Sequence, residues 1–356
     1  MDHDKLKINK LNHEKSIYYN QKGFKVALVT GVHKNSYLIR NQKNEVYAEI
    51  TGKLIHDADS PSDYPTVGDQ VYAQFFNQNT FAVIHEVIPR KTVLLRKMSG
   101  KNVAAQLIAA NLDTALIMQS LDNDFNLRRL ERYLAIVKEG NIKPIILLSK
   151  SDLLPKEEID DKVSSILGTI PHIEVIPFSN KNKYNLDCIN DLFISGKIYC
   201  LIGSSGVGKT TLINQLIESN SFKTQDLRKI GKGKHTTTSR QLIDLLNGAM
   251  LIDTPGMREL GLTDSQIGIE DTFEEIVSLS KYCRFNDCTH TKEEGCAILA
   301  ALNDGTLSLE RYQNYMKMKK ESTYYEMSYV EKRRKEKQLG KFYRNVMKNK
   351  IKMKKY

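Results

Sequence analysis

Long apolar runs are missing from this sequence: none approaches the roughly 18 residues that a bilayer-spanning helix needs, so no transmembrane segment is expected. The opening stretch, MDHDKLKINKLNHEK, is too polar for a secretory signal peptide, and a cytoplasmic protein is expected. Cysteine is scarce, at five in 356 residues, and the odd number speaks against a disulfide framework. Three of the five crowd between Cys283 and Cys296, which in a cytosolic chain favours metal over disulfide; Cys188 and Cys200 read as isolated core thiols. Acidic residues almost vanish from the C-terminal block 332–356, where twelve Lys or Arg stand against one Glu and carry the whole formal net charge of +11. Like charge at that density favours a polyanionic partner, nucleic acid before a membrane surface or a merely solvated tail.

What is present suits two or three domains, with 40% apolar residues to build their cores. Between 22 and 90, five short alternating segments (KVALVTG, SYLIR, EVYAEITG, DQVYAQFF and FAVIHEVI) are separated by Gly, Asn and Asp turns. Five strands without a convincing helix predict a small closed barrel of the OB type, a scaffold often used on RNA or single strands. An α/β rhythm follows: DTALIMQSL as a strand, LRRLERYLAIVKEG as an amphipathic helix ending near Gly140, KPIILLS as a second strand, and 245–252, LLNGAMLI, as another buried strand.

The phosphate chemistry centres on GSSGVGKTTL. Gly203, Gly208, Lys209 and Thr210 satisfy G-x-x-x-x-G-K-[ST], a spacing that turns consecutive backbone N–H groups towards phosphate oxygens. Lys209 then reaches the β- and γ-phosphates and Thr210 holds Mg²⁺; the loop alone leaves ATP and GTP both open. Downstream, Asp253-Thr254-Pro255-Gly256 ends an apolar segment as a D-x-x-G switch, its carboxylate suited to a Mg²⁺-bound water and its glycine N–H to a γ-phosphate. Between them, GKGKHTTTSR places three threonines, Thr237 among them, where they can close over Mg²⁺. The base reader lies ahead of the loop: ILLSKSDLL puts Lys150 and Asp152 in the arrangement of N-K-x-D, and the carboxylate accepts from guanine N1–H and the exocyclic amine, which adenine does not match.

The order is therefore base reader, phosphate loop, threonine switch, D-x-x-G, the order of a circularly permuted GTPase. Beyond it stand Cys283, Cys288, His290 and Cys296 in the spacing C-x4-C-x-H-x5-C, a closed set of three thiolates and one imidazole suited to one structural Zn²⁺.

With these motifs the chain resembles the ribosome small-subunit-dependent GTPases, the RsgA or YjeQ family. The resemblance runs from residue 22 to 335 and rests on VGDQV, AANLD, DFN with LERYL, GSSGVGKTTL, KGKHTTTSR, DTPGMREL and the zinc pattern. It implies a multidomain α/β protein: a polar extension over 1–21, an OB-like β-barrel over 22–90, a permuted P-loop GTPase domain over 91–275, a zinc-binding domain over 276–331 and the basic tail over 332–356. It further implies a monomer without a membrane partner that binds the small subunit and its rRNA late in assembly, hydrolyses GTP to GDP when the subunit stimulates it, and responds to (p)ppGpp at the same site. The nucleotide contacts are then Ser149, Lys150, Ser151, Asp152, Ser179, Asn180, Gly203, Ser204, Ser205, Gly206, Val207, Gly208, Lys209, Thr210, Thr211, Thr237, Asp253 and Gly256, with Thr210, Thr237 and Asp253 at Mg²⁺. Ser149 replaces the family's usual Asn, and its hydroxyl supplies fewer hydrogen bonds than an amide; Ser179-Asn180 replaces Ser-Ala. Met257 follows Gly256 where a water-orienting Gln is common, and His235 matches in place the histidine proposed as catalytic in the family. A permuted GTPase of the large subunit and a non-catalytic, nucleotide-held RNA clamp are the competing readings.

Overall fold

The computed structural model describes residues 15, 17–33, 36–41, 44–97, 105–218, 240–253 and 265–326. Two compact units divide the chain, 1–261 and 262–356.

The first unit opens with the expected five strands, β1 (Lys25–Val32), β2 (Tyr37–Asn41), β3 (Asn44–Ile50), β4 (Gln70–Phe76) and β5 (Phe81–Val87). Antiparallel pairs β1–β2, β2–β3, β4–β5 and β1–β4, with a parallel β3–β5 pair, close them into a barrel. Alternation does the sorting: along β3 only Val46 and Ala48 are buried. The interior gathers Val29, Ile39, Val71 and Ile84 around four alanines, Ala27, Ala48, Ala73 and Ala82, small enough for a narrow barrel. Register shifts at Val29/Gly31 and Tyr72/Ala73 supply the local bends that closure needs.

Sequence patterning found no helix here, yet α1 (Gly52–Asp57) follows β3, started by Thr51, whose hydroxyl accepts from the Leu54 N–H at 3.2 Å. Six residues are too short to show a helical period, so the cap is the only signal. Just before β1, residues 17–21 are helical, and Tyr19 stacks on Tyr72 with ring centroids 4.2 Å apart while its hydroxyl donates to Glu86 at 2.6 Å. At the barrel exit Arg90 makes two parallel bonds of 2.8 Å to the fully buried Asp69 carboxylate, which also accepts from the Thr66 N–H at 2.7 Å. A two-stranded sheet, β6 (Val93–Lys97) with β7 (Ala105–Ala110), then leads into the α/β region.

That region holds β8 (Thr114–Ser120), α2 (Leu127–Glu139), β9 (Lys143–Ser149), α3 (Lys156–Thr169), β10 (Glu174–Pro177), α4 (Leu186–Asp191), β11 (Ile198–Gly203), α5 (Lys209–Glu218), β12 (Arg240–Asp244) and β13 (Met250–Asp253). The strands lie in the order β10-β9-β8-β11-β13-β12, parallel except for the antiparallel β12–β13 pair. Every residue of β8 is buried, as a central parallel strand covered on both faces requires. The expected single strand over 245–252 is corrected to a hairpin, β12 and β13 joined by a turn. Its Asn247-Gly248 pair is a hairpin signal, Gly248 takes φ 83°, and Leu245 N–H bonds the Ala249 carbonyl at 2.8 Å. Cys188 is likewise corrected: it is exposed on α4, whereas Cys200 is buried in β11, where burial pushes its thiol up to about 12.

Barrel and α/β strands join. β1 pairs with β12 through Gly31–Gln241 and Val32–Arg240, making one eleven-stranded sheet among the described residues, and Arg40 forms an ion pair with Asp244 beside the seam.

The second unit contains α6 (Gln266–Thr272), α7 (Glu274–Ser280), α8 (Ala297–Asn303) and α9 (Leu309–Glu326). Its core includes Phe273, Ile276, Ile298 and Met318. Arg311, buried, bonds Glu275 at 2.6 Å and the Thr272 carbonyl at 2.8 Å and lies over the Phe273 ring. No described helix is long and apolar enough to cross a membrane.

Candidate active site and metal centre

The C-terminal ends of β8, β9 and β11 meet at one edge of the sheet, where ligand loops gather in open α/β folds. From β11 the chain turns at Gly203 and re-enters a helix at Lys209, which leaves residues 203–208 as the phosphate loop. A Cβ on Gly203 would lie 2.4 Å from the Met118 carbonyl, so only glycine lets the loop leave this close to β8. Val207 is buried in the core and pins the middle of the loop, while Ser205, Gly206, Thr210 and Thr211 are exposed. The Lys209 ammonium lies within the loop, 2.8 Å from the Gly203 carbonyl and 2.6 Å from that of Ser204.

The Ser149–Asp152 segment, the expected base reader, lies against this loop. Ser149, fully buried at the end of β9, donates to the Val207 carbonyl at 2.6 Å. Asn180 donates to the next loop carbonyl, that of Gly208, at 3.3 Å, and Gln215 on α5 holds the Asn180 carbonyl at 2.6 Å. Two side chains from two segments therefore hold consecutive carbonyls of the loop. Lys150 takes a left-handed conformation, φ 61°, and Asp152 accepts a short hydrogen bond from the Ser179 hydroxyl. Ser151 N–H bonds the Phe178 carbonyl at 3.1 Å, tying the two base segments together. Ser151 Oγ and Asn180 Oδ1 are buried without a partner among the described residues.

Two acids complete the arrangement: Asp122, which no motif contains, and Asp124, the first residue of DFN. Asp122, in the loop after β8, accepts from Lys150 Nζ at 2.7 Å, from the Ser120 hydroxyl at 2.8 Å and from the Asp124 N–H at 3.0 Å. Partial burial pushes its carboxyl up, but these hydrogen bonds outweigh it and hold the group at about 2. Asp124 accepts from the Ser204 hydroxyl at 3.1 Å and pairs with Arg129. The available signal was position: two acids directly after a strand that ends at the phosphate loop.

Asp253 ends β13 with its backbone opposite Gln241; its side chain lies outside the described residues, as do His235, Thr237 and Gly256. Of the expected nucleotide contacts, those at 149–152, 179–180 and 203–211 are brought together.

In the second unit Cys283, Cys288, His290 and Cys296 converge, all four donor atoms lying within 4.8 Å of one another. Cys283 Sγ and Cys296 Sγ each stand 3.6 Å from His290 Nδ1 and 3.9 Å from each other. Bonds of about 2.3 Å to sulfur and 2.0–2.1 Å to nitrogen at tetrahedral angles put two sulfurs about 3.8 Å apart, and sulfur and nitrogen about 3.6 Å apart. The donor set therefore fits a tetrahedral zinc ion. Tyr312 on α9 fixes the His290 backbone, its hydroxyl donating to the carbonyl at 2.6 Å.

Comparison with known proteins agrees with this geometry. Residues 87–263 match the model of the RsgA GTPase family. A protein of Vibrio vulnificus named small ribosomal subunit biogenesis GTPase RsgA 2 is 38% identical over 330 residues, 92% of this chain and 90% of its own length. A protein of Methanosarcina acetivorans named small ribosomal subunit biogenesis GTPase RsgA is 44% identical over 262 residues, 73% of this chain and 70% of its own. Among solved structures, YjeQ from Thermotoga maritima superposes with a TM-score of 0.64 at 22% identity, covering 84% of this chain and 99% of that one. YloQ, described as a circularly permuted GTPase, gives 0.60 at 22% identity over 86% and 97%. Shared fold, near-full-length similarity and a G-x-x-x-x-G-K-[ST] loop preceded by the SKSD segment lead to one conclusion: this chain belongs to the RsgA GTPase family.

Proposed function

We propose that the chain is a GTPase that binds the small ribosomal subunit and acts in its assembly, hydrolysing GTP to GDP and phosphate. The observation that carries this reading is the union of base reader and phosphate loop, in which Ser149 and Asn180 bond the carbonyls of Val207 and Gly208. Asp152, oriented by Ser179, accepts the two guanine donors; Lys209 and the N–H groups of 203–211 hold the phosphates. Thr210, Thr237 and Asp253 are the Mg²⁺ contacts, and bound Mg²⁺ supplies neutralisation of charge developing on the phosphate oxygens. Gly256 senses the third phosphate and His235 orients the attacking water. Cys283, Cys288, His290 and Cys296 hold one structural Zn²⁺, which keeps the 281–296 loop in one shape. The 332–356 tail supplies electrostatic attraction to rRNA. (p)ppGpp competes at the same site, and the protein works as a cytoplasmic monomer.

The test is GTP hydrolysis by the full chain alone, with purified small subunits and with purified large subunits. Stimulation by small subunits only is expected. Equal stimulation by both would favour a large-subunit role, and cleavage absent in every arm would favour a nucleotide-held clamp.

A further inference from the structure

The loop 121–126 between β8 and α2 carries a chain of polar contacts running from the base reader to the phosphate loop. It starts at Lys150 Nζ, passes to Asp122, crosses the backbone through the Asp124 N–H, and ends where the Asp124 carboxylate meets the Ser204 hydroxyl. Part of this has a local explanation: Asp124 pairs with Arg129, and Asn126 caps α2 by accepting from the Arg129 N–H at 3.1 Å. Helix capping does not explain Asp122. Besides Ser120 and the Asp124 N–H in its own segment, its partner is a lysine 28 residues away in sequence, on a different strand end.

That lysine sits in a demanding place. It adopts a left-handed backbone between Ser149, which bonds the phosphate loop, and Asp152, the base-reading carboxylate. A non-glycine residue in this conformation is strained, and a free lysine side chain carries much rotamer entropy. A charge-assisted bond to Asp122 fixes that side chain before any nucleotide arrives, which is how preorganisation raises affinity.

We propose that Asp122 is a positioning residue for guanosine recognition, acting through Lys150, and that the 122–124 segment couples the base site to the phosphate loop through Ser204. This rests on the GTP-binding reading above. The guanosine half of the ligand depends on Asp122, and the polyphosphate half does not, because Lys209 and the loop N–H groups stand outside the Lys150–Asp122 pair. Guanosine and polyphosphate bind with positive coupling, and the coupling runs through the Asp124–Ser204 contact.

Displacement of a fluorescent GDP analogue from the full-length protein by guanosine, by tripolyphosphate and by GDP tests this. In Asp122→Ala, guanosine and GDP are expected to bind about 10-fold more weakly with tripolyphosphate unchanged, and the GTP KM rises about as much while kcat at saturation stays within about twofold. Asp122→Asn keeps a hydrogen-bond acceptor without the charge, so it recovers part of the loss, and it replaces the alanine variant should that one fail to fold. In the unmutated protein saturating tripolyphosphate tightens guanosine binding about fivefold; in Ser204→Ala that factor falls towards one. Unchanged guanosine affinity in both Asp122 variants, or an equal loss for guanosine and tripolyphosphate, overturns the inference. An unmutated protein that binds no GDP analogue overturns the GTPase reading itself, and that outcome precedes any variant.

Discussion

Replacing Cys288 by serine removes one of four donors from the metal cluster while leaving the hydroxyl in much the same space. A structural zinc site contributes about 10–16 kcal/mol in apparent binding energy, so one ligand of four carries about 2.5–4 kcal/mol, or a factor of roughly 10²–10³ in affinity. The separations of 3.6 and 3.9 Å already match a tetrahedron, so little of that energy goes into rearranging the other three donors. Competition with a chromophoric zinc chelator should return one zinc per unmutated chain and transfer it from Cys288→Ser at 10²–10³-fold lower chelator strength, by the same reasoning. Because the cluster and the nucleotide loops belong to separate compact units, GDP affinity of the variant should stay within about twofold of the unmutated value. Zinc absent from the purified protein, or held equally by the variant, would refute the assignment; a parallel loss of GDP binding would refute the independence of the two units.

Asp152→Asn should shift preference from GTP towards xanthosine triphosphate, since the amide presents a donor to guanine N1–H; competition binding with an unchanged preference would show that Asp152 does not read the base. Deleting 332–356 should weaken small-subunit association and flatten its salt dependence with GTP affinity intact, measured by cosedimentation across a salt series. His235→Ala should keep GTP and subunit binding but lower stimulated turnover on the order of 10²-fold; full turnover would pass the role to another group. Arg90→Met leaves the buried Asp69 carboxylate unpaired, costing about 3–5 kcal/mol in denaturation experiments near pH 7. Burial already raises the Asp69 pKa above its usual value against the pull of Arg90, so losing Arg90 raises it further; the folded state then binds the extra proton. The stability lost by this variant relative to the unmutated protein should therefore be smallest at low pH and grow as pH rises through the raised pKa, and a pH-independent difference would contradict that reading.

The convergence of 149–152, 179–180 and 203–211, and of the three cysteines with His290, was legible because each segment is a fixed spacing of residue types. The five barrel strands were legible because half-buried strands alternate, as in Asn44–Ile50. Elsewhere local patterns were ambiguous. Apolar composition alone merged β12, β13 and their turn, although Asn247-Gly248 marks a hairpin. The apolar AQLIAA of β7 alternates too little to distinguish strand from helix, and Cys188, though apolar by type, lies on an exposed position of a six-residue helix. Asp122 and the Asp69–Arg90 pair were hidden for another reason: their roles arise from long-range contacts that no short motif records.

The seam between β1 and β12 has a consequence during synthesis. Gly31 and Val32 emerge from the ribosome early and, by Val87, all five barrel strands are available, yet the β1 backbone that pairs with Arg240 and Gln241 still lacks that partner. At translation rates of about 5–20 residues per second the missing strand arrives roughly 8–30 s later. Throughout that interval the nascent barrel presents a bare strand edge, the feature through which chains pair with one another. Truncated forms that stop before residue 240 keep that edge permanently, so the barrel cut out on its own inherits an adhesive surface that the complete chain covers with its own later sequence.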